Sequence, residues 1–158
     1  MEIRRNFYLD KLIKRKNNGF IKVITGIRRC GKSYLLNNLF YHHLLESGVA
    51  ADHIIRFAFD SADDLYRIGE SLIGIEKEKR GADPEKFMAY VRTKVVDDGM
   101  YYLLLDEIQM LDCFEAVLNS YLRKDNMDVF VTGSNAKFLS KDIATEFAGR
   151  GDEVHMYP

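Results

Sequence analysis

Two rhythms of hydrophobic and polar positions alternate along this chain. Short apolar runs at Phe20-Ile21-Lys22-Val23-Ile24-Thr25, Ile54-Ile55-Arg56-Phe57-Ala58-Phe59, Tyr101-Tyr102-Leu103-Leu104-Leu105 and Val129-Phe130-Val131-Thr132 read as strands. The third is apolar throughout, as a central parallel strand covered on both faces should be. Stretches with helical spacing fall between them. Residues 4–17 put Phe7, Leu9, Leu12 and Ile13 on one side, with Gly19 just past the end. A helix from 32 to about 46 stops at Gly48. Asp83 and Pro84 open a helix with Phe87, Tyr90, Val91 and Val95 on its apolar face. Phe114, Val117, Leu118, Tyr121 and Leu122 mark another, and Asp112 with Glu115 predicts a capping-box-like start for it. The charged stretch 61–80 predicts one helix with a frayed end. A short helix near 142–148 ending at Gly149 and a last strand at 153–157 complete the series. Strands alternating with helices predict an α/β fold of three αβα layers around a mostly parallel five-stranded sheet.

In such a sheet, ligands bind beyond the carboxyl ends of the strands. Three ends carry chemistry here. The first is followed by Gly26-Ile27-Arg28-Arg29-Cys30-Gly31-Lys32-Ser33, a Walker A string of Gly, four residues and Gly-Lys-Ser, set between a strand and a helix. Main-chain N–H groups and a helix N-terminus make that loop a phosphate cradle. Lys32 would reach the β- and γ-phosphates and the Ser33 hydroxyl would bind Mg²⁺. The second end presents Asp106 and Glu107, a Walker B pair. Asp106 would share the metal with Ser33, and Glu107 would orient or deprotonate an attacking water. A second carboxylate beside the metal ligand fits an enzyme that uses water, and argues against small nucleotide kinases, which must exclude it. The third end is Thr132-Gly133-Ser134-Asn135, where either Ser134 or Asn135 would contact the γ-phosphate or the lytic water. Arg150, after Gly149, is a candidate partner for charge spreading over a transferring phosphoryl group, in cis or on a neighbour's nucleotide. Arg28 and Arg29 would add charge at the loop, and Tyr8 on the first helix would cover an adenine ring.

Composition narrows the remaining classes. The chain has 158 residues, enough for one domain with a sizeable core. With 23 basic and 24 acidic side chains its net charge is -1, so the overall field gives no reason to expect nucleic acid or an anionic membrane. The first helix is locally basic, with Arg4, Arg5, Lys11, Lys14, Arg15 and Lys16 against Glu2 and Asp10. Such a run is usually a solvated face. Cys30 and Cys113 show no metal-ligand spacing, and two free thiols suit a reducing compartment. The N-terminus lacks the apolar core of a signal peptide and no stretch reaches 18 apolar residues, so the cytoplasm is expected. His42, His43, His53 and His155 read as structural.

The quoted motifs also carry a resemblance. The run Val23-Ile24-Thr25-Gly26-Ile27-Arg28-Arg29-Cys30-Gly31-Lys32-Ser33-Tyr34-Leu35-Leu36 is similar to the AAA-type ATP-binding proteins of bacteria and archaea, whose loop reads Gly-hydrophobic-Arg-Arg-small-Gly-Lys-Ser/Thr. Leu105-Asp106-Glu107-Ile108-Gln109 resembles that family's Walker B with its trailing Ile-Gln. Val131-Thr132-Gly133-Ser134-Asn135 resembles its sensor 1 segment, and Ala148-Gly149-Arg150 the Thr/Ser-Gly-Arg segment before its fifth strand. The resemblance implies a P-loop ATPase core with strand order 5-1-4-3-2, ATP and Mg²⁺ as cofactors, cofactor contacts from Gly26 through Tyr34, and Arg150 as an arginine finger or sensor. The chain departs at Cys30, a position that is often serine, and at Ala148, which replaces the usual Thr or Ser. The family continues past the fifth strand into a C-terminal domain of unknown function. The chain is therefore expected to be a single ATPase domain cut from a longer protein, with a homo-oligomer or protein partner engaged through the absent region. The leading expectation is a Mg²⁺-dependent ATPase whose hydrolysis drives a conformational change. Two alternatives stay open at this point: a nucleotide-gated binding module with negligible turnover, and a DNA-stimulated motor or nuclease-associated ATPase touching DNA through the basic first helix.

Overall fold

A computed structural model of the chain describes residues 2–26, 31–133 and 151–157. Helix α1 spans Glu2–Lys14 and leads into strand β1, Ile21–Thr25. From Lys32 onward, α2 (Lys32–Tyr34) passes through a six-residue π-helical segment, Leu35–Phe40, into α3 (Tyr41–Glu46). Strand β2 is Ile54–Ala58. Helices α4 (Ala62–Arg67), α5 (Leu72–Glu78) and α6 (Pro84–Lys94) precede β3, Tyr101–Asp106. A 3-10 turn at Ile108–Met110 and helix α7 (Phe114–Leu122) lead to β4, Met127–Thr132, and the last strand is β5, Gly151–His155.

All four strand pairings are parallel and the sheet order is β2-β3-β4-β1-β5, the expected order 5-1-4-3-2 read from the opposite edge. The period-two alternation of a strand divides β3 cleanly between two cores. Tyr101, Leu103 and Leu105 face a cluster that includes Phe57, Phe87, Val91, Phe114 and Leu118. Tyr102 and Leu104 face the other, with Tyr8, Leu12, Leu36, Phe40 and Leu44. Every residue of β3 is buried, which accounts for its uninterrupted apolar run.

Several expectations are corrected. The stretch 61–80 forms two helices. Gly69 adopts φ 80, a left-handed conformation that suits glycine, and Ser71 starts a new helix by accepting the N–H of Gly74. Asp112 caps nothing. Its Oδ1 accepts the N–H of Gly81 at 3.0 Å, while Cys113, at φ 55, is the residue that opens α7. The expected Asp83 cap forms, accepting from the N–H groups of Glu85 and Lys86. Element bounds also move: among them, α1 stops at Lys14, β4 begins at Met127 and β5 covers Gly151–His155. The helix expected near 142–148 lies outside the described residues.

The amino end of the sheet holds a buried ion pair. Lys22 and Asp128 are 0% and 4% exposed, and the Lys22 ammonium donates to Asp128 Oδ1. Asp128 Oδ2 accepts the N–H of Asn17 at 2.8 Å, and Asn18 Oδ1 accepts from Lys22 at 3.1 Å. Burial pushes the Lys22 pKa down, against the pull of Asp128, and burial wins. The chain entering β1 is thereby tied to β4.

Candidate nucleotide site

The parallel register brings the chemistry to one rim. Ile24 lies opposite Thr132, and Leu105 opposite Val131, so the residues ending β1, β3 and β4 stand side by side. Ser33, in the first turn after the loop, donates its hydroxyl to Asp106 Oδ2 at 2.6 Å. Thr132, at the end of β4, donates its hydroxyl to Asp106 Oδ1. The same Thr132 oxygen accepts the N–H of Glu107 at 3.0 Å. Asp106 is 5% exposed, a buried carboxylate gripped by two neutral hydroxyls. Lys32, also 5% exposed, donates Nζ to the carbonyl of Gly26 at 2.8 Å. Gly31, at φ 95, lies beside Met156.

Glu107 sits at φ 54 and ψ 53, an unusual backbone region for this residue type. Its Oε2 accepts a hydrogen bond from Gln109 Nε2. Thr25, at the end of β1, reaches Glu153 Oε1 at 3.1 Å and His155 Nδ1 at 2.9 Å, fastening β5 to the same rim.

Of the residues named from sequence, Gly26, Gly31, Lys32, Ser33, Asp106 and Glu107 come together at this rim. Tyr34 follows Ser33 and is 43% exposed. Tyr8 is a correction. It is 5% exposed and packed in the core with Leu12, four residues on, and its hydroxyl accepts the N–H of Tyr157 at 3.0 Å. Its apolar helix spacing sends the ring inward, so it offers no face to a base, whereas Phe7 beside it is 54% exposed. Ile27, Arg28, Arg29, Cys30, Ser134, Asn135 and Arg150 lie outside the described residues. Sequence reasoning missed Thr132 and Gln109. Thr132 is the last residue of β4, where the strand pairing alone places it beside Asp106. Gln109 was part of the quoted string but carried no role.

The donor set suits Mg²⁺. Among the described residues no three His, Cys, Asp or Glu side chains converge to cage a metal. One carboxylate and one hydroxyl, 2.6 Å apart, are what an ion needs when water and phosphate oxygens supply its other ligands.

A family model described as an AAA domain matches residues 18–158. The chain belongs to this family. Membership supports nucleotide binding and hydrolysis as the general class of activity of this AAA domain. It is 34% identical over 157 residues to an uncharacterized protein of Haemophilus influenzae, covering 99% of this chain and 36% of that protein. It is 29% identical over 152 residues to an uncharacterized protein of Methanocaldococcus jannaschii, covering 94% and 28%. The AAA domain thus spans about a third of the length of the curated relatives it matches. Among solved structures it resembles a chain of Drosophila ORC bound to DNA, with TM-score 0.56 and 15% identity over 98% of this chain and 91% of that one. It also resembles C. elegans PCH-2, with TM-score 0.50 and 19% identity over 97% and 40%. At these identities the likeness is one of fold. No helix among the described residues is long and apolar enough to cross a membrane.

Proposed function

We propose that this AAA domain binds Mg²⁺–ATP and hydrolyses it, and that hydrolysis drives a conformational change in the longer protein of which it forms part. The observation that carries this reading is the 2.6 Å hydrogen bond between Ser33 and Asp106, which joins the Walker A and Walker B segments across 73 residues of chain. A carboxylate buried against neutral hydroxyls lacks charge compensation. A divalent cation at Ser33 and Asp106 supplies it, and when bound it would neutralise charge on the β- and γ-phosphates.

The chain's own residues then have distinct tasks. The loop amides from Gly26 to Ser33 hold the phosphates. Lys32 leaves the Gly26 carbonyl for a phosphate oxygen, exchanging a neutral acceptor for an anionic one. Glu107 takes a proton from the attacking water. Ser134 or Asn135 senses the γ-phosphate, and Arg150 steadies the transferring group from the same or a neighbouring copy.

Phosphate release and nucleotide binding test this together. Glu107→Gln is expected to bind ATP as the parent does and to hydrolyse it about 10²- to 10⁴-fold more slowly. Hydrolysis at the parent rate rejects the role of Glu107. Loss of ATP binding in Lys32→Ala is the matching expectation for the loop.

A DNA-stimulated function finds less support in the first helix. Arg15 pairs with Asp152 at 3.1 Å, and Lys16 Nζ meets His43 Nε2 at 3.1 Å. Two of the basic groups are therefore engaged within the domain.

A further inference from the structure

Glu107 is useful as a base only if its carboxylate is held in one place, and one residue bonded to it lies two positions along. Gln109 stands in the 3-10 turn Ile108–Met110 and donates Nε2–H to Glu107 Oε2. The other half of the same amide is unsatisfied. Gln109 Oε1 is buried with no hydrogen-bond partner. Buried amide oxygens are rarely left so, because the lost hydration is not returned. Turning the amide over would set its oxygen against the Glu107 carboxylate, acceptor against acceptor, so the orientation follows from the neighbour. An amide placed merely to fill space gains nothing from a buried, unpartnered oxygen, and an apolar side chain would serve better. What the amide retains is its bond to Glu107.

The turn beneath it is fixed from outside. Ala82 N–H donates to the Met110 carbonyl at 2.8 Å and Asp112 N–H to the Ala82 carbonyl at 3.0 Å, a single parallel bridge between segments far apart in sequence. Gly81 completes it by donating to Asp112 Oδ1. A Cβ on Gly81 would lie 2.6 Å from both the Met110 carbonyl and Asp112 Oδ1, so only glycine fits without a shift. Support of this kind is what a positioned group requires.

We propose that Gln109 is a positioning residue: anchored by the Ala82–Leu111 bridge, it clamps one oxygen of Glu107 and fixes the carboxylate for its water. The inference rests on the reading of Glu107 as the base. Steady-state phosphate release with Mg²⁺–ATP tests it in four variants of the whole chain. Gln109→Ala is expected to lower kcat on the order of 10-fold, as loss of a supporting hydrogen bond does, with KM and ATP affinity unchanged. Gln109→Met, similar in length and volume but without a donor, is expected to lose as much, and it also guards against misfolding of the alanine variant. Glu107→Gln lowers turnover about 10²- to 10⁴-fold, and adding Gln109→Ala to it is expected to cost nothing further. Without nucleotide, the Gln109 side-chain amide resonance in the ¹⁵N–¹H spectrum is expected to shift in Glu107→Ala. Full activity in Gln109→Met, or an unmoved resonance, overturns the clamp while leaving Glu107 as the base. Parent-rate hydrolysis by Glu107→Gln removes the base, and this inference with it.

Discussion

Asp106 and Asp128 are both buried carboxylates on neighbouring strands of one sheet, yet they sit at opposite ends and are treated differently. Asp128, near the start of β4, has a full ammonium beside it from Lys22 and a main-chain N–H from Asn17. Asp106, at the end of β3, is held by the hydroxyls of Ser33 and Thr132, which carry dipoles and no net charge. A buried anion paired with a cation is electrostatically complete, and its role is to hold strands together. A buried anion held by dipoles alone keeps its demand for positive charge. The amino end of the sheet thus reads as structure, and the carboxyl end is where the proposed cation would find an uncompensated carboxylate. The contrast comes from what neighbours each carboxylate, since the residue type is the same.

The contrast is sharpest where both carboxylates are made amides. Asp106→Asn is expected to cut phosphate release on the order of 10²- to 10³-fold, because on the proposed reading it removes the carboxylate that would hold the Mg²⁺. Its melting temperature should stay at or above the parent's, since a buried charge has been removed and both hydroxyls keep partners. A large fall in melting temperature would break the comparison. Asp128→Asn should behave in the opposite way. It leaves Lys22 buried without a counter-ion and costs about 3–5 kcal/mol in a denaturant titration, while ATP affinity of the folded fraction is unchanged. Adding Lys22→Met should recover most of that loss.

Thr132 tests the coupling within the site. Thr132→Val keeps the shape but withdraws a donor from Asp106 and an acceptor from the Glu107 N–H. An expected loss of about 1–3 kcal/mol, read from chemical denaturation, follows from leaving that N–H unpaired. Glu70 gives the smallest effect and extends the structural class. Its side chain is buried between Arg80 at 2.6 Å and Lys86 at 2.8 Å. Burial alone would raise its pKa, and the hydrogen bonds from Lys86 and Arg80 outweigh it, so the carboxyl titrates below its usual value of 4.5. A depressed carboxyl adds stability that is present above the unfolded pKa and is lost as pH falls through the folded one. Glu70→Gln should therefore melt below the parent at pH 7, and the gap should close as pH falls below 4.5.

Much of the frame was legible from residue order. The apolar run at Tyr101–Leu105 announced a doubly covered strand, and the glycine, lysine and serine after β1 pointed to the rim where Ser33 meets Asp106, because both depend on neighbours in the chain. The break at Gly69 was not read from the sequence, because the charged flanks gave no clear period, and one helix was expected where two form. Asp112 had every local mark of a cap. It was claimed instead by Gly81, a residue 31 positions away, through a bridge that no local pattern encodes.

What sequence determined by itself was periodicity, the alternation of strands and helices and which strand ends carry polar candidates, since these follow from backbone geometry and side-chain type over a few residues. Only tertiary structure decided that Thr132 grips Asp106, that Gln109 is braced to hold Glu107 and that Tyr8 turns inward. Such choices depend on which surfaces meet once the sheet is assembled. A hydrogen bond across a parallel sheet is set by strand register, and register is a property of the folded whole.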